Sequence, residues 1–292
     1  MHIYFMDYTY VEVNKEFFPT RCLDYDENVK IEVRMLTVGD AKLLAMIDEN
    51  NASHVLYQIL QRCTRLTNLK LDDMYIADRD YLLFYIRSGS FTNADNAFKF
   101  KINKCENCGH AATFDINLAD LQLDNLSVFE QHFDLNGKDI IIRLPRVKDI
   151  QYKLKDAELA KLLTYTNLVE VFGTVEEAIT QVLQLDAYNY VLLNNLVASM
   201  KCGIREELQV NCPECGHDMI LKWKFAETDL LGTIDIRILL KSILSISKYT
   251  HYQIQDDLLY AEYQLMDQIV AQMISEENKA YEKANGNMVL GG

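Results

Sequence analysis

Proline and glycine are scarce in this sequence. With 3 Pro and 11 Gly in 292 residues there is little room for long linkers, so most of the chain should be packed. Disorder is expected only at the tip, where Asn285-Gly286-Asn287 leads into Met288–Gly292. No apolar run approaches the roughly 18 residues of a membrane-spanning helix, so a membrane partner is not expected. The start, Met1-His2-Ile3-Tyr4-Phe5-Met6-Asp7, lacks a basic stretch and meets an acid at once, so it does not read as a signal peptide. Cations are in deficit: 43 acids against 29 bases give a net charge of −14. DNA is held chiefly by Lys and Arg at its phosphates, and no basic arm or patch stands out, so nucleic acid is not expected as a partner.

The motifs of several enzyme classes are also missing. Neither GxxxxGK, GxGxxG, GxSxG nor HExxH occurs. Acidic pairs such as Asp72/Asp73, Glu176/Glu177 and Asp256/Asp257 read as solvated helix ends, and Asp78 of Asp78-Arg79-Asp80 reads as a helix cap. No convergent set remains, so no catalytic residue is assigned and the chain is not expected to be an enzyme.

What is present begins with cysteine. The count of 7 is odd, and four of them form two CxxC pairs, Cys105/Cys108 and Cys212/Cys215. That is metal usage in a reducing compartment, not a disulfide framework, and it places the protein in the cytosol. Cys22, Cys63 and Cys202 are expected as small buried apolar groups.

Alternation of apolar and polar residues marks strands at 2–13 and 29–35, the latter with Val29, Ile31, Val33 and Met35 on one face. Thr37 can cap a helix carrying Ala41, Leu44 and Ile47. A second helix carries Val55, Ile59, Leu60 and Cys63, and a third Tyr81, Leu82, Tyr85 and Ile86. A hairpin follows, with Phe98, Phe100 and Ile102 before the first CxxC and Phe114, Ile116 and Leu118 after it. Gly137 leads into a strand, Lys138–Leu144, halted by Pro145.

From about residue 150 the order repeats. Helices carry Tyr152, Ala157, Ala160 and Leu163, then Val175 to about Leu185 behind a Thr174/Glu177 capping pair, then Tyr190, Leu193, Val197 and Met200. The second CxxC hairpin has Leu208 and Val210 before it, then Met219, Leu221, Trp223 and Phe225. The segments KCENCGH and NCPECGH lie 107 residues apart, and Ala41-Lys42-Leu43-Leu44 resembles Ala160-Lys161-Leu162-Leu163. This reads as a duplication of a helices-plus-knuckle unit, with independent origin of the two knuckles as the alternative.

Each CxxC is followed by glycine and flanked by alternating strands, the pattern of a zinc knuckle. The tight turn aims both sulfurs at one point, and the glycine accepts the backbone angles that the turn demands. Pro213 pre-sets the second turn. Two such pairs make one Cys₄ site for a structural Zn²⁺ that ties distant halves of the chain together. Independent knuckles, or sites completed by another chain, are the alternatives. His110 and His217 sit too close in sequence to their pairs for easy closure on the ion. A redox CxxC is disfavoured because its first Cys should open a helix.

Several motifs occur in a characteristic order: FFPTRCLDYDENVKIEVRMLTVGDAKLL at Phe17–Leu44, then VLYQILQRCTRL, IADRDYLLFYIRS, CENCGH with FDINLADL, and NGKDIIIRLP. In this the chain resembles the T4-type phage baseplate hub-assembly family, whose members show an FPSRG-like opening, an LTVGEEK segment, a DR-x-YLL-x-YIRS helix and a CPxCG knuckle. Thr20-Arg21-Cys22 stands where Ser-Arg-Gly is usual, and Asp40-Ala41 where Glu-Glu is usual. The resemblance covers residues 17–150 closely and 150–225 loosely, and leaves out 233–285. It implies a non-enzymatic role in forming the hub of a contractile tail baseplate, with phage baseplate hub proteins as partners, in host cytoplasm, either as an assembly factor or as a structural component that stays in the virion. A zinc-ribbon regulator contacting nucleic acid or polymerase is the alternative, and the acidic balance counts against it.

The expected fold class is therefore α+β: helices packed on short antiparallel hairpins with a zinc-ribbon-like Cys₄ site. Residues 1–232 should form the zinc-containing core, with duplicated halves at about 36–118 and 152–225. Residues 233–292 should form a helical C-terminal extension. Its long helix, about 253–283, bears two adjoining apolar stripes, Leu258/Ala261/Leu265/Ile269/Met273 and Leu259/Tyr263/Met266/Val270/Ile274. One stripe suffices for the helix's own domain, so Leu258–Ile274 is expected to join the chain to another in a homo- or hetero-oligomer, unless 233–249 folds back over the second stripe.

Overall fold

Three short antiparallel strands begin the structure, β1 (Val11–Glu12), β2 (Lys30–Val33) and β3 (Thr64–Thr67), paired in that order. The computed structural model describes residues 9–48, 50–91, 98–102, 104–117, 120–126, 128–150, 154–222, 231 and 234–289, with 98–102, 115 and 283–289 described in backbone only. Residues 2–8 of the first expected strand, Leu118, Tyr152, Trp223 and Phe225 lie outside the described residues. The alternation at 29–35 places Val29, Ile31 and Val33 in the core. Thr37 caps α1 (Val38–Leu44) in a full capping box, its hydroxyl accepting from the Asp40 N–H while Asp40 accepts from the Thr37 N–H. Helix α2 (Ala52–Cys63) buries Val55, Ile59, Leu60 and Cys63 as expected.

Helix α3 (Ile76–Ser90) buries more than its expected stripe, of which Tyr81 and Tyr85 rest partly buried against the core. Leu82 and Ile86 are buried, but so are Leu83 and Phe84, so the helix is enclosed on most sides. Asp78 is no cap. The helix begins at Ile76, so Asp78 already lies in its first turn, fully buried, and reaches back to a loop more than fifty residues earlier. Its carboxylate accepts from the Thr20 hydroxyl (2.5 Å), the Thr20 N–H (3.1 Å) and the Tyr25 hydroxyl (2.7 Å). The Tyr25 oxygen in turn accepts from the Tyr75 N–H at 2.8 Å, and the two rings stack. Burial pushes the Asp78 carboxyl above its ordinary range against the pull of the three donors.

This network holds an unusual turn. Arg21 (φ 53°) and Cys22 (φ 56°) are consecutive non-glycine residues in the left-handed region. Such conformations cost about 1 kcal/mol or more each and persist only where surroundings over-determine them.

A second core forms around the hairpin of β7 (Glu130–Leu135) and β8 (Lys138–Arg143), β4 to β6 being Phe98–Ile102, Ala112–Ile116 and Leu123–Asp124. Asn136 (φ 54°) and Gly137 (φ 80°) make its two-residue turn, which needs positive φ at both positions. Phe133, Leu135, Ile140 and Ile142 face α4 (Ala157–Tyr165), α5 (Leu168–Phe172), α6 (Val175–Leu183) and α7 (Ala187–Ser199) across a shared cluster. Strand β9 (Gly203–Ile204) pairs with β6, and β10 (Glu207–Asn211) with β11 (Asp218–Lys222).

The last helices pack on the first core. Leu239 and Ile246 of α8 (Ile236–Thr250) and Tyr260, Tyr263 and Val270 of α9 (Tyr260–Val289) join the cluster built from β2, α1, α2 and α3. Helix α9 starts at Tyr260, not near 253, because the chain before it is stitched to α1. The Val38 N–H donates to the Leu258 carbonyl, the Gly39 N–H to that of Asp256, and the Tyr260 N–H to that of Leu36, each at 2.8 Å. The free N–H groups of a helix start are thus satisfied from the far end of the chain. Helix α8 covers the second apolar stripe, where Tyr263 and Val270 are buried. On the first stripe Leu265 (57% exposed) and Ile269 (52%) face solvent. The backbone is helical through 285–289, where disorder was expected.

Gly39 is required by this stitching. A Cβ there would sit 3.1 Å from the Asp256 carbonyl oxygen and 3.2 Å from its Cβ. Gly39→Val should therefore push residues 256–258 off α1 at a cost of about 1–3 kcal/mol. Hydrogen exchange should quicken at Val38, Gly39 and Tyr260 while the β7–β8 hairpin keeps its protection.

Candidate metal centre

The two CxxC turns sit at the tips of separate hairpins. Strands β4 and β5 pair from Phe98↔Ile116 to Ile102↔Ala112, and β10 and β11 from Glu207↔Lys222 to Asn211↔Asp218. Ile116 and Leu221 anchor their bases in the first core. Both tips close in the same way. The Cys105 N–H donates to the His110 carbonyl and the Gly109 N–H to that of Cys105, while Cys212, His217 and Gly216 repeat the pattern. At Gly109 (φ 73°) and Gly216 (φ 71°) the left-handed backbone, not space, calls for glycine, since a Cβ would meet nothing within 4 Å.

The four sulfurs of Cys105, Cys108, Cys212 and Cys215 all lie within 4.8 Å of one another. Cys105 approaches Cys215 at 3.8 Å and Cys108 approaches Cys212 at 3.7 Å, so the pairs interlock crosswise, first Cys of one to second Cys of the other. Four sulfurs each about 2.3 Å from a central ion in a tetrahedron stand about 3.8 Å apart. Cys105 and Cys212 are 2% exposed, while Cys108 and Cys215 lie on the surface.

The electrostatics of the bare thiols are lopsided. The Asn107 side-chain amide, 3.5 Å from the Cys215 sulfur, and the His217 N–H lower that thiol to about 6. At Cys108 the His110 N–H lowers the pKa, but desolvation and the three neighbouring sulfurs outweigh it and push the thiol up to about 12. Four cysteine sulfurs converging at this spacing fit a thiophilic divalent ion such as Zn²⁺. Among the described residues no fifth ligand belongs to the cluster, for His110 and His217 contribute backbone groups to the turns and their rings are not part of it. Four thiolates would leave no open position for a catalytic water. Asn107 escaped the sequence reading; nothing local marks it, because the sulfur it contacts is 108 residues away.

A cavity of about 240 Å³ between the two cores is lined by Tyr75, Arg79, Asp80, Tyr165, Cys202 and Glu206, among others. Its cation is tied to its neighbour, with Arg79 and Asp80 2.6 Å apart, and burial pushes the Cys202 thiol up to about 12. Among the described residues no helix is long and apolar enough to cross a membrane.

Residues 18–228 match the family model described as T4 bacteriophage base plate protein, a span that takes in both knuckles, the second core and the part of the first built from β2 and α1 to α3. Neither the curated proteins nor the solved structures yield a match.

Proposed function

From the chain's membership of the T4 bacteriophage base plate protein family, we propose that it is a non-enzymatic tail protein that assembles or builds the baseplate hub. In this reading Cys105, Cys108, Cys212 and Cys215 hold one structural Zn²⁺, and the partners are other baseplate proteins of the hub. The protein is made in host cytoplasm and incorporated in the tail. The family match over residues 18–228 carries the assignment, and the convergence of the four sulfurs within 4.8 Å of one another supports the metal. The identical closure of the two knuckles supports a duplicated zinc-containing core.

The exposed stripe of α9 supports an oligomeric contact. Leu265, Ile269 and Met273 lie on solvent-facing turns of a helix whose opposite side is already spent on the core. Leu265→Asp with Ile269→Asp should leave the melting temperature within a few degrees, since both side chains are exposed. Co-purification with baseplate proteins should fall. Unchanged co-purification would dismiss this face.

The proposal as a whole is tested by quantitative mass spectrometry of purified virions beside infected-cell extract. Peptides of this chain at fixed stoichiometry with tail proteins are the expected result. Presence only in intermediates would make it an assembly factor, and absence from virions and intermediates alike would end the baseplate reading.

A further inference from the structure

We propose that the turn from Phe18 to Leu23 is a docking point, built to present Arg21 to a carboxylate on a partner protein. The proposal rests on the baseplate reading and names the chemistry of one of its contacts.

Residues 14–25 wind through successive tight turns: the Phe17 N–H donates to Asn14, Phe18 to Lys15, Arg21 to Phe18, Leu23 to Thr20 and Tyr25 to Cys22. The winding sorts the side chains. Phe18, Pro19, Thr20 and Cys22 point inward and are buried, whereas Phe17 (55% exposed), Arg21 and Leu23 (66%) point out. Folding gains nothing evident from this display. A large aromatic and a leucine are left in water, and Arg21 has no hydrogen bond or ion pair from its side chain among the described residues, in a chain where acids outnumber bases 43 to 29.

The presentation is nonetheless rigid. Arg21 and Cys22 are held at φ 53° and 56°, and the Cys22 N–H donates to the Thr20 hydroxyl at 3.1 Å. That same hydroxyl donates to the buried Asp78, which also takes the Thr20 N–H and the Tyr25 hydroxyl. A buried carboxylate therefore fixes a turn that carries, between two exposed apolar groups, a guanidinium without a side-chain partner among the described residues. Strained, over-determined backbone of this kind concentrates at binding sites. Arginine flanked by aromatic and aliphatic groups is the composition of an interface anchor.

Charge complementarity selects the occupant. A guanidinium pairs bidentately with a carboxylate or a phosphate. Phosphate backbones require several cations together, and Arg21 is the one cation between Glu16 and Asn28. An acidic side chain on an otherwise apolar protein surface fits; a nucleic acid does not.

The variant Arg21→Gly separates display from folding. Glycine adopts the left-handed backbone freely, so the purified full-length protein should melt at the same temperature or higher. Phage carrying it should nonetheless form baseplates at least tenfold less efficiently, with Arg21→Lys in between. A photo-reactive benzoylphenylalanine at Leu23, in infected cells, should cross-link to a baseplate protein at a segment containing Asp or Glu. Arg21→Asp should then be rescued by a reciprocal Lys at that acid. Normal plaque formation by Arg21→Gly would overturn the proposal. So would cross-links from Leu23 to DNA alone, or to nothing while the same probe at Leu265 reaches tail proteins. If neither probe reaches a tail protein and the chain is absent from tails, the baseplate reading fails and this proposal falls with it.

Discussion

Cys212→Ser should strip the chain of its metal and of much of its stability together. Native mass spectrometry of the wild type is expected to show one zinc per chain, and of the variant none. Structural zinc sites contribute apparent free energies of roughly 10–16 kcal/mol in zinc-finger peptides, against total stabilities of roughly 5–15 kcal/mol for ordinary domains. Here the hairpins also rest on the first core through Ile116 and Leu221, so the loss need not be total. The variant should melt lower by ten degrees or more, or aggregate, because ligands 104 residues apart no longer share an ion. Chelation of the wild type should reproduce the effect, and acid should too, since the ligands bind as thiolates. A metal-free wild type of undiminished stability would refute the zinc centre. Two ions per chain would refute the shared one.

Asp40→Ala should be the most damaging single change outside that centre. The side chain is 2% exposed and lies 2.7 Å from Arg34, itself 12% exposed, with Arg62 at 3.6 Å. It also accepts from the Thr37 N–H and hydroxyl. Removing it takes the carboxylate away from the buried Arg34 guanidinium, a loss of up to about 3–5 kcal/mol, and breaks the capping box, about 1 kcal/mol more. Asp40→Asn keeps an acceptor for the cap and should cost less. Burial by itself would raise the Asp40 pKa, but the Arg34 hydrogen bond and charge, with Thr37, hold it below the ordinary value near 3.8. A group depressed in the folded state stabilises above its unfolded pKa and loses that contribution as pH falls through the folded one. Wild-type stability should therefore decline below about pH 4, and urea titrations of Asp40→Asn should show a shallower decline. Equal slopes for the two proteins would mean that Asp40 is not the group responsible.

Much of the α+β architecture is legible in the sequence because its signals are local. The Val29/Ile31/Val33 alternation, the Thr37 cap and the α2 stripe each declare themselves within a few residues. The two CxxCG turns do the same for the candidate centre, although their crosswise interlock depends on how the hairpins meet. Other features are set by distant partners. Asp78 looks like a cap because carboxylates at helix starts usually are, and only the fold brings Thr20 to it, 58 residues away. The start of α9 shifts from about 253 to 260 because α1 claims residues 256–258 as hydrogen-bond acceptors. The hairpin partner Glu130–Leu135 is a different case. Only the strand after the turn was expected, although Asn136-Gly137 is a strong two-residue turn signal that implies a strand on each side.

The stitching of α1 to residues 256–258 also sets an order of events on the ribosome. Lys42 and Asp256, which pair at 2.6 Å, are 214 residues apart. At bacterial elongation rates of about 5–20 residues per second, the start of α1 waits about 10–40 s after its own synthesis for its last hydrogen-bond partners. The second CxxC turn emerges before those partners do. A nascent chain can thus clasp a metal ion and bring its hairpins together while the face reserved for α8 and α9 is still open. A ribosome that stalls between the second knuckle and residue 256 would leave a metal-loaded intermediate with an apolar surface exposed, a substrate for chaperones and proteases.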